Sequence, residues 1–358
     1  MTTHGQTAAP RARPTMRDVA ALSGVSLKTV SRVVNLEPGV SDDLADRVRQ
    51  AAEQLDYHPN LTASSLRRSD GKTQTIGLIL EDVSNPFEAA LHRRIEEVAR
   101  ARGVVVIAGS VDEDEARERD LATALVARRV DGLIVMPTGH DQSYLAKEQR
   151  SGTPMVFVDR PPTFLDADCV LTANESGARA AVAHLISHGH RRIAFLGDQP
   201  SISTAIERLS GYRDALERAG IAADSALIRL SLTSSDQAEI AVAELLAAPD
   251  APTAIFASQN LLTIGVVRAL HQLGRQHSIA LVGFDDLPLV DLLNPGVTLV
   301  LQDVTGLGTA TADILFRRLD GDTRPSERII LPTTLIPKGS GEILGPFATI
   351  ESATGAVS

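Results

Sequence analysis

The 358-residue sequence has no tryptophan, a single cysteine and few aromatic residues. Aromatics make up 3% of the chain against 43% hydrophobic residues, so sizeable cores are available but must be filled mainly by aliphatic side chains. The lone Cys169 excludes a disulfide framework within the chain and suits a reducing cytoplasm. No apolar run approaches the length of a membrane span, and the start carries no apolar signal segment. A cytoplasmic chain without a membrane partner is therefore expected. Positive charge is also scarce: 35 Lys and Arg face 45 Asp and Glu, a formal net charge of −10. That balance excludes a protein coated all over for nucleic acid. The deficit is uneven. Residues 1–72 hold 10 basic against 8 acidic residues, a net +2, whereas the remainder holds 25 against 37, a net −12. A mildly basic head on an acidic body fits nucleic-acid binding restricted to one end, in a chain long enough for two or three domains.

What the head contains is a helix-turn-helix pattern with its caps spelled out. In residues 15–35, TMRDVAALSGVSLKTVSRVVN, Thr15 and Asp18 have the spacing of a capping box, with the acid where the helix dipole favours it. Val19, Ala20 and Leu22 supply an apolar face. Ser23-Gly24-Val25 breaks the helix, Gly24 being able to take the left-handed conformation of a tight turn. Ser26 caps a second helix, Leu27 to Val34, with Val30 and Val33 inward and Lys28, Thr29, Ser31 and Arg32 outward. Ser41 to Leu55 supplies the third helix such a pair needs, with Leu44, Val48, Ala51, Ala52 and Leu55 at helical spacing. A three-helix bundle that binds nothing is the bland alternative. Against it, every polar outward position of the second helix suits phosphate or base-edge contact, and Leu27, Lys28 and Arg32 stand where base edges are read.

Residues 1–14 read as a flexible arm, with Arg11 and Arg13 near its end. LTASSLRRSDGK, after Asn60, reads as a short helix and a polar joint; Ala63 to Leu66 is about one turn, which forms only when something packs on it. Arg67 and Arg68 suit phosphate contact or simply solvated charge.

From Thr75 onward, short apolar runs alternate with amphipathic helices. Ile76–Leu80, Val104–Ala108, Leu133–Met136 and Met155–Val158 have strand length, separated by helices such as Ala89–Arg102 and Leu121–Arg129. A second series follows at Ile193–Leu196, Leu227–Leu230, Ala254–Ala257, Ile279–Phe284 and Val297–Leu301. Apolar runs with helical crossovers indicate parallel sheets, here two α/β lobes of one domain's size each. Ligands of such sheets sit beyond the carboxyl ends of the strands. The residues there are Asp82, Asn85, Phe87, Asp159, Arg160, Asn174, Gln259, Asn260, Asp285 and Asp286, joined by Arg208. Carboxylates, amides and an arginine hold adjacent hydroxyls in pairs, and Phe87 suits the apolar face of a sugar ring. Each also has a mundane role available: Asp285 or Asp286 as a helix cap, Asn85-Pro86 as a helix start, Arg208 as a surface ion pair.

Enzymatic motifs are poor. Gly71-Lys72-Thr73 ends like a phosphate-binding loop, but the glycine required five residues earlier is Leu66. His184, His188 and His190 straddle a helix end beside Arg191 and Arg192, which repel a metal ion. Gly339-Ser340-Gly341 lacks the spacing of a nucleophile elbow, and Glu81-Asp82 lacks a recognisable partner. No catalytic residue, cofactor or metal is expected.

Three stretches carry a family resemblance: the T-M-R-D-V-A…G-V-S-x-x-T-V-S-R-V-V-N string of residues 15–35, then Tyr57-His58-Pro59-Asn60, and Ala63 to Leu66. Through them the chain resembles the lactose- and galactose-repressor family of bacterial transcriptional regulators, from Thr15 to about Ile343. The resemblance implies an α-helical helix-turn-helix head plus hinge helix, joined to a two-lobed α/β periplasmic-binding-protein-like body with parallel sheets. It places a flexible arm at 1–14, the helix-turn-helix DNA-binding domain at 15–60, and hinge helix and linker at 61–73. The effector-binding and dimerisation domain follows at 74–348, then a flexible tail at 349–358. Because the family's chain crosses between lobes three times, lobe 1 takes about 74–173 and 302–333, and lobe 2 about 174–301 and 334–348. The implied DNA contacts are Thr15, Ser26, Leu27, Lys28, Thr29, Ser31, Arg32, Asn35, Asn60, Ala63 and Leu66. Leu66 stands where a leucine of paired hinge helices wedges between bases in the minor groove. The implied effector contacts are Asn85, Phe87, Asp159, Arg160, Asn174, Arg208, Gln259 and Asp285.

The function so implied is a non-catalytic, sequence-specific repressor. It binds palindromic operator DNA as a homodimer and changes affinity when a small metabolite, a sugar or sugar acid, closes the cleft. A solute-binding protein of a transport system would use the same cleft but needs export; a corepressor-dependent regulator would bind DNA only with its ligand; a metabolic enzyme on the same lobes ranks third. The chain also departs from the family. Many relatives carry Asn-Asp where Gln259-Asn260 stands, and an acidic residue before the asparagine where Ala173-Asn174 stands. Losing two carboxylates while keeping Arg160 and Arg208 points to a less negative cleft and makes a phosphorylated or carboxylated sugar a contender. No aromatic follows Leu230, so that wall is expected to be aliphatic. Replacing Leu66 with Ala should weaken operator binding and reduce DNA bending, with ligand affinity nearly unchanged; unaltered bending by gel mobility or energy transfer removes the wedge.

Overall fold

The computed structural model describes residues 14–35, 37–58 and 72–348, in two units, Met1–Thr73 and Gln74–Ser358. The readings of the arm, the hinge and the tail, including Asn60, Ala63 and Leu66, lie outside the described residues.

In the first unit α1 (Met16–Ser23), α2 (Leu27–Val34) and α3 (Asp42–Gln54) close a small core of Val19, Val30, Val48 and Ala51. The Asp18 carboxylate accepts from both the backbone N and the hydroxyl of Thr15, each at 2.7 Å, which holds its pKa down. Gly24 turns the chain at φ +66°, and Ser26 Oγ accepts from Thr29 N at 3.1 Å. Leu22 does not face inward; it is 46% exposed. The buried position in that turn belongs to Ser23, one full turn after Val19, whose carbonyl takes the serine hydroxyl at 2.6 Å. Arg47 then donates to the Ser23 carbonyl at 2.7 Å, tying α3 to the end of α1.

The second unit holds two six-stranded sheets. Strands β1 (Thr75–Leu80), β2 (Val105–Ser110), β3 (Gly132–Val135), β4 (Met155–Val158), β5 (Asp168–Thr172) and β11 (Arg328–Leu331) form the first. Strands β6 (Ile193–Leu196), β7 (Ile228–Arg229), β8 (Ala254–Ala257), β9 (Ala280–Phe284), β10 (Thr298–Gln302) and β12 (Thr333–Ile336) form the second. Their orders are β11-β5-β4-β3-β1-β2 and β12-β10-β9-β8-β6-β7. Every pairing is parallel except β10 with β12. Between the strands lie α4 (Pro86–Ala101), α5 (Glu115–Ala127), α6 (Ala146–Arg150), α7 (Asn174–Ser187), α8 (Ser203–Arg218), α9 (Ser235–Ala247), α10 (Asn260–Gln272) and α11 (Val304–Leu319).

Apolar runs that the sequence shows as continuous are buried throughout in β3, β4, β6, β8 and β9. The exception is β2, where Val105 and Ile107 are 59% and 38% exposed, because an edge strand keeps one face uncovered. Strands β5, β11 and β12 escape a reading by apolar runs. In β5 only Cys169, Val170 and Leu171 are unbroken, and in the other two polar residues interrupt. Leu227 belongs to a 3-10 turn, which leaves β7 two residues long.

The chain passes between sheets at Ala173, Asp303 and Pro332, one residue each, with α11 packed on α4 and its Leu307, Ala312 and Leu315 in the core of the first sheet. The histidines serve packing at the far end of the second sheet. His190 reaches Thr253 Oγ1 at 2.9 Å and the Ile343 carbonyl at 2.7 Å, and His184 pairs with Glu342.

Helix α8 approaches α7 closely at Gly211, where a Cβ would stand 2.2 Å from the Glu175 carbonyl oxygen. Backbone cannot yield as a side-chain tip does, so Gly211→Ala forces the helices apart. We expect a loss of about 1–3 kcal/mol, read as a lower melting temperature; an unchanged melting temperature contradicts this packing.

Candidate functional site

Two surfaces carry the candidate chemistry. On the first, α2 presents Leu27, 45% exposed, and a fully solvated Lys28, while Thr15 lies exposed at the start of α1. Thr29, Ser31, Arg32 and Asn35 are half-buried. All four are partly engaged: Thr29 Oγ1 lies 2.9 Å from Ser26 Oγ, Asn35 Nδ2 donates to Ser31 Oγ at 3.3 Å, and Arg32 stands 4.0 Å from Glu37. The face is polar and unobstructed around Lys28, with Val30 anchoring it from beneath.

The second surface is a cavity of about 360 Å³ between the two sheets of the body, within the usual size of small-molecule sites. It is built from strand ends. Asp159 follows β4 and Asp285 follows β9, and both take left-handed backbone, φ +66° and +72°. In each, the backbone N donates at 2.9 Å to a carbonyl of the neighbouring strand, Val170 and Val300 respectively. Left-handed conformations cost about 1–3 kcal/mol for residues other than glycine and mark sites where direction matters. The same device is used in both lobes.

Each lobe also buries one guanidinium. Arg160 donates through Nη2 to Glu81 at 3.2 Å and through Nη1 to the Pro137 carbonyl at 3.3 Å, and forms ion pairs with Glu113 at 2.6 Å and Asp159 at 3.9 Å. Arg208 donates to Asn174 Oδ1 at 2.9 Å and the Ser258 carbonyl at 2.6 Å, lies 3.9 Å from Asp285 and covers the Phe284 ring at 4.0 Å. Asp285 accepts from Gln302 at 2.6 Å. Across the cleft, Asn260 Nδ2 donates to Asn85 Oδ1 at 2.8 Å, with the reverse contact at 3.5 Å.

The cavity brings together Asn85, Phe87, Asp159, Arg160, Arg208, Gln259 and Asp285. Asn174 is not among its walls. It is 1% exposed, and its amide is committed to Arg208, Thr172 and Glu207, so it stands behind the arginine. Sequence reasoning missed Glu81 as a member, along with Glu88, Glu113, Asp198 and Gln302. A partner for Glu81 exists after all, Arg160, 79 residues away. Glu88 had a legible signal: with Leu91, Ile95 and Ala99 it heads the buried stripe of α4, a carboxylate where the pattern calls for an apolar residue. The expectation of a less negative cleft rested on positions 173 and 260; these further acids also line the cavity.

Burial pushes the carboxyls of Asp159, Asp198 and Asp285 up, and that of Glu81 far up, helped by the charge of Glu113 beside it. Burial likewise lifts Glu88 from 4.5 to about 8, against the backbone N of Asp82 that it accepts at 3.0 Å. A carboxyl with a raised folded-state pKa contributes stability below its unfolded value and loses it as pH rises through the folded one. The ligand-free protein should therefore melt at falling temperature between about pH 5 and pH 8, and Glu88→Gln should flatten that fall. Parallel melting curves for parent and variant across the window contradict the assignment.

Comparison with known proteins places both surfaces. A family model described as bacterial regulatory proteins, lacI family, matches residues 15–60, and one for a periplasmic binding protein-like domain matches residues 182–341. The transcriptional regulator GalR of Escherichia coli K12 is 33% identical over 328 residues, 91% of this chain and 95% of that protein. The ribose operon repressor of the same organism is 33% identical over 329 residues, 91% of this chain and 99% of that protein. Among solved structures, the Lac repressor dimer bound to operator and the anti-inducer ONPF is 27% identical with a TM-score of 0.81, covering 93% of this chain and all of that one. A CelR–cellobiose complex is 31% identical with a TM-score of 0.68, covering 92% of this chain and all of that one. Among the described residues no helix is long and apolar enough to cross a membrane. Matched through its head, its body and nine-tenths of its length, the chain belongs to the lacI family of bacterial regulatory proteins and is a DNA-binding transcriptional regulator.

Proposed function

We propose that the protein is a repressor that binds a palindromic operator as a homodimer, and that a sugar-class ligand in the cleft sets its affinity for that operator. It acts in the cytoplasm and without catalysis. The observation that carries the reading is the cavity itself, whose walls come from the strand ends of both lobes and which a direct Asn85–Asn260 contact already spans. A ligand filling it contacts both lobes at once, so its binding energy depends on their relative position, which is the requirement for a two-state switch. The relatives support the partners: one solved structure is a dimer on operator DNA, and two others hold cellobiose and ribose.

Base reading falls to Leu27, Lys28 and Arg32, and backbone positioning to Thr15, Ser26, Thr29, Ser31 and Asn35, with Asn60, Ala63 and Leu66 as hinge contacts. Asn85, Phe87, Asp159, Arg160, Arg208, Gln259 and Asp285 contact the ligand, and Asn174 positions Arg208.

Anisotropy titration of labelled operator, with and without sugars found by thermal shift, tests both halves. Lys28→Ala and Arg32→Ala should each narrow the ratio of operator to random-DNA affinity by about 1–3 kcal/mol. Asp285→Ala and Arg208→Ala should abolish the ligand response with operator binding intact, in a system whose coupling is about 1–3 kcal/mol and equal in both directions. A sugar that occupies the cleft and leaves operator affinity unchanged defeats the allosteric reading; a tightened complex makes the ligand a corepressor.

A further inference from the structure

The charge in the cleft narrows what its ligand is, provided the cleft is the effector site as argued above. Its walls carry Glu81, Asp82, Glu88, Asp112, Glu113, Asp159, Asp198 and Asp285 against two arginines. Both arginines are already engaged within the protein. Three carboxylates converge on Arg160, and the Arg208 Nε and Nη1 donors go to Asn174 and Ser258. On the opposite wall the Asp198 carboxyl is pushed up by burial and, to a smaller extent, by the charge of Glu113.

The buried atoms left without a partner agree with this excess. On the cavity wall three buried acceptors, Glu113 Oε1, Asp159 Oδ1 and Gln302 Oε1, take no hydrogen bond, against a single buried donor without one, Arg160 Nε. A phosphate or carboxylate brings only acceptors and negative charge to such a wall. A neutral sugar brings donors but leaves the charge excess in place. A ligand with hydroxyls and a cationic group supplies both, since an ammonium has three donors and no acceptor.

We propose that the ligand of this cleft is a polyhydroxy compound bearing a protonated amine, an amino sugar or aminopolyol, with its ammonium group held by Glu81, Glu113 and Asp198 and its hydroxyls on Asp159, Asp285 and Gln302. Glu81, whose carboxyl burial and then the charge of Glu113 push up to about 9, releases its proton when the ammonium takes its place, so binding is accompanied by proton release.

Calorimetric titration of the full-length protein with matched sugars at about pH 7.5 tests this: glucose, glucosamine and glucose 6-phosphate, then the same three forms of galactose. The amino sugar of a set should bind at least about tenfold tighter than the neutral one, the phosphate more weakly than either, and its apparent enthalpy should vary with the ionisation enthalpy of the buffer. Glu113→Gln and Asp198→Asn should weaken the amine more than the neutral sugar, shrinking the amine's advantage to about threefold or less. A neutral or phosphorylated sugar that binds as tightly as its amine overturns the proposal. If none of the six binds, the ligand-free protein decides: Asp198→Asn keeps the acceptor for Gln199 N and gives up only the 3.2 Å contact from Gln259, and in an over-acidic cleft it raises the melting temperature at about pH 8.5, whereas a lowered one overturns the proposal. Operator titration separates the two readings. Tightest binding by the amine with unmoved operator affinity defeats the effector role alone; a neutral sugar that binds tightest and moves operator affinity defeats the amine alone.

Discussion

Two buried guanidiniums, one in each lobe, organise the ligand-binding body. An unpaired buried charge costs several kcal/mol, so each arginine must be surrounded by acceptors drawn from whatever lies near it. Around Arg160 these are Glu81 after β1, Glu113 after β2, the Pro137 carbonyl after β3 and Asp159 after β4. Around Arg208 they are Asn174 at the first crossing between sheets, the Ser258 carbonyl after β8 and Asp285 after β9. Each arginine thereby ties together loops from several strands that share no local structure. The shape of the cavity is set by those ties, and the left-handed backbone at Asp159 and Asp285 is held by them against its own strain.

That arrangement explains why the site is both rigid in outline and responsive. Cores of aliphatic residues beneath each sheet fix the strand ends, and the crossings at Ala173, Asp303 and Pro332 are single residues with little chain to absorb motion. Mainly polar groups line the seam, where a ligand's donors and charge compete with contacts such as Asn85 to Asn260. Hydrogen bonds of this kind are modest in net energy, so exchanging some of them for ligand contacts changes the balance between lobe positions without threatening the fold. The head is separate in construction: its own small core, its own caps, and a second helix that leaves Lys28 exposed.

Much of this was legible in the chain because it is local. The Thr15–Asp18 cap, the Gly24 turn, the Ser26 cap and helix Leu27–Val34 depend on residues within four positions of each other, and short-range rules suffice for them. Continuous apolar runs likewise marked most strands, since burial on both faces leaves no room for polar residues. Leu22 was misplaced because two positions of one short helix competed for the same inward direction and only packing against α3 chose Ser23. Strands β5, β11 and β12 were missed because pairing with an existing sheet edge, and not their own composition, makes them strands.

The sequence by itself determined the family, the reading head and the alternation that produces two parallel sheets, together with the carboxylates, amides and arginines that follow the strands. Only the tertiary structure decided which of them share a cavity, and with what net charge. Glu81 and Arg160 are 79 residues apart and Asn85 and Asn260 are 175 apart, so their contacts follow from sheet order and crossing points, which no local pattern encodes. For the same reason the sign of the cleft came out more acidic than its strand-end residues alone implied. Charge adds over everything that converges in space, and convergence is a property of the fold.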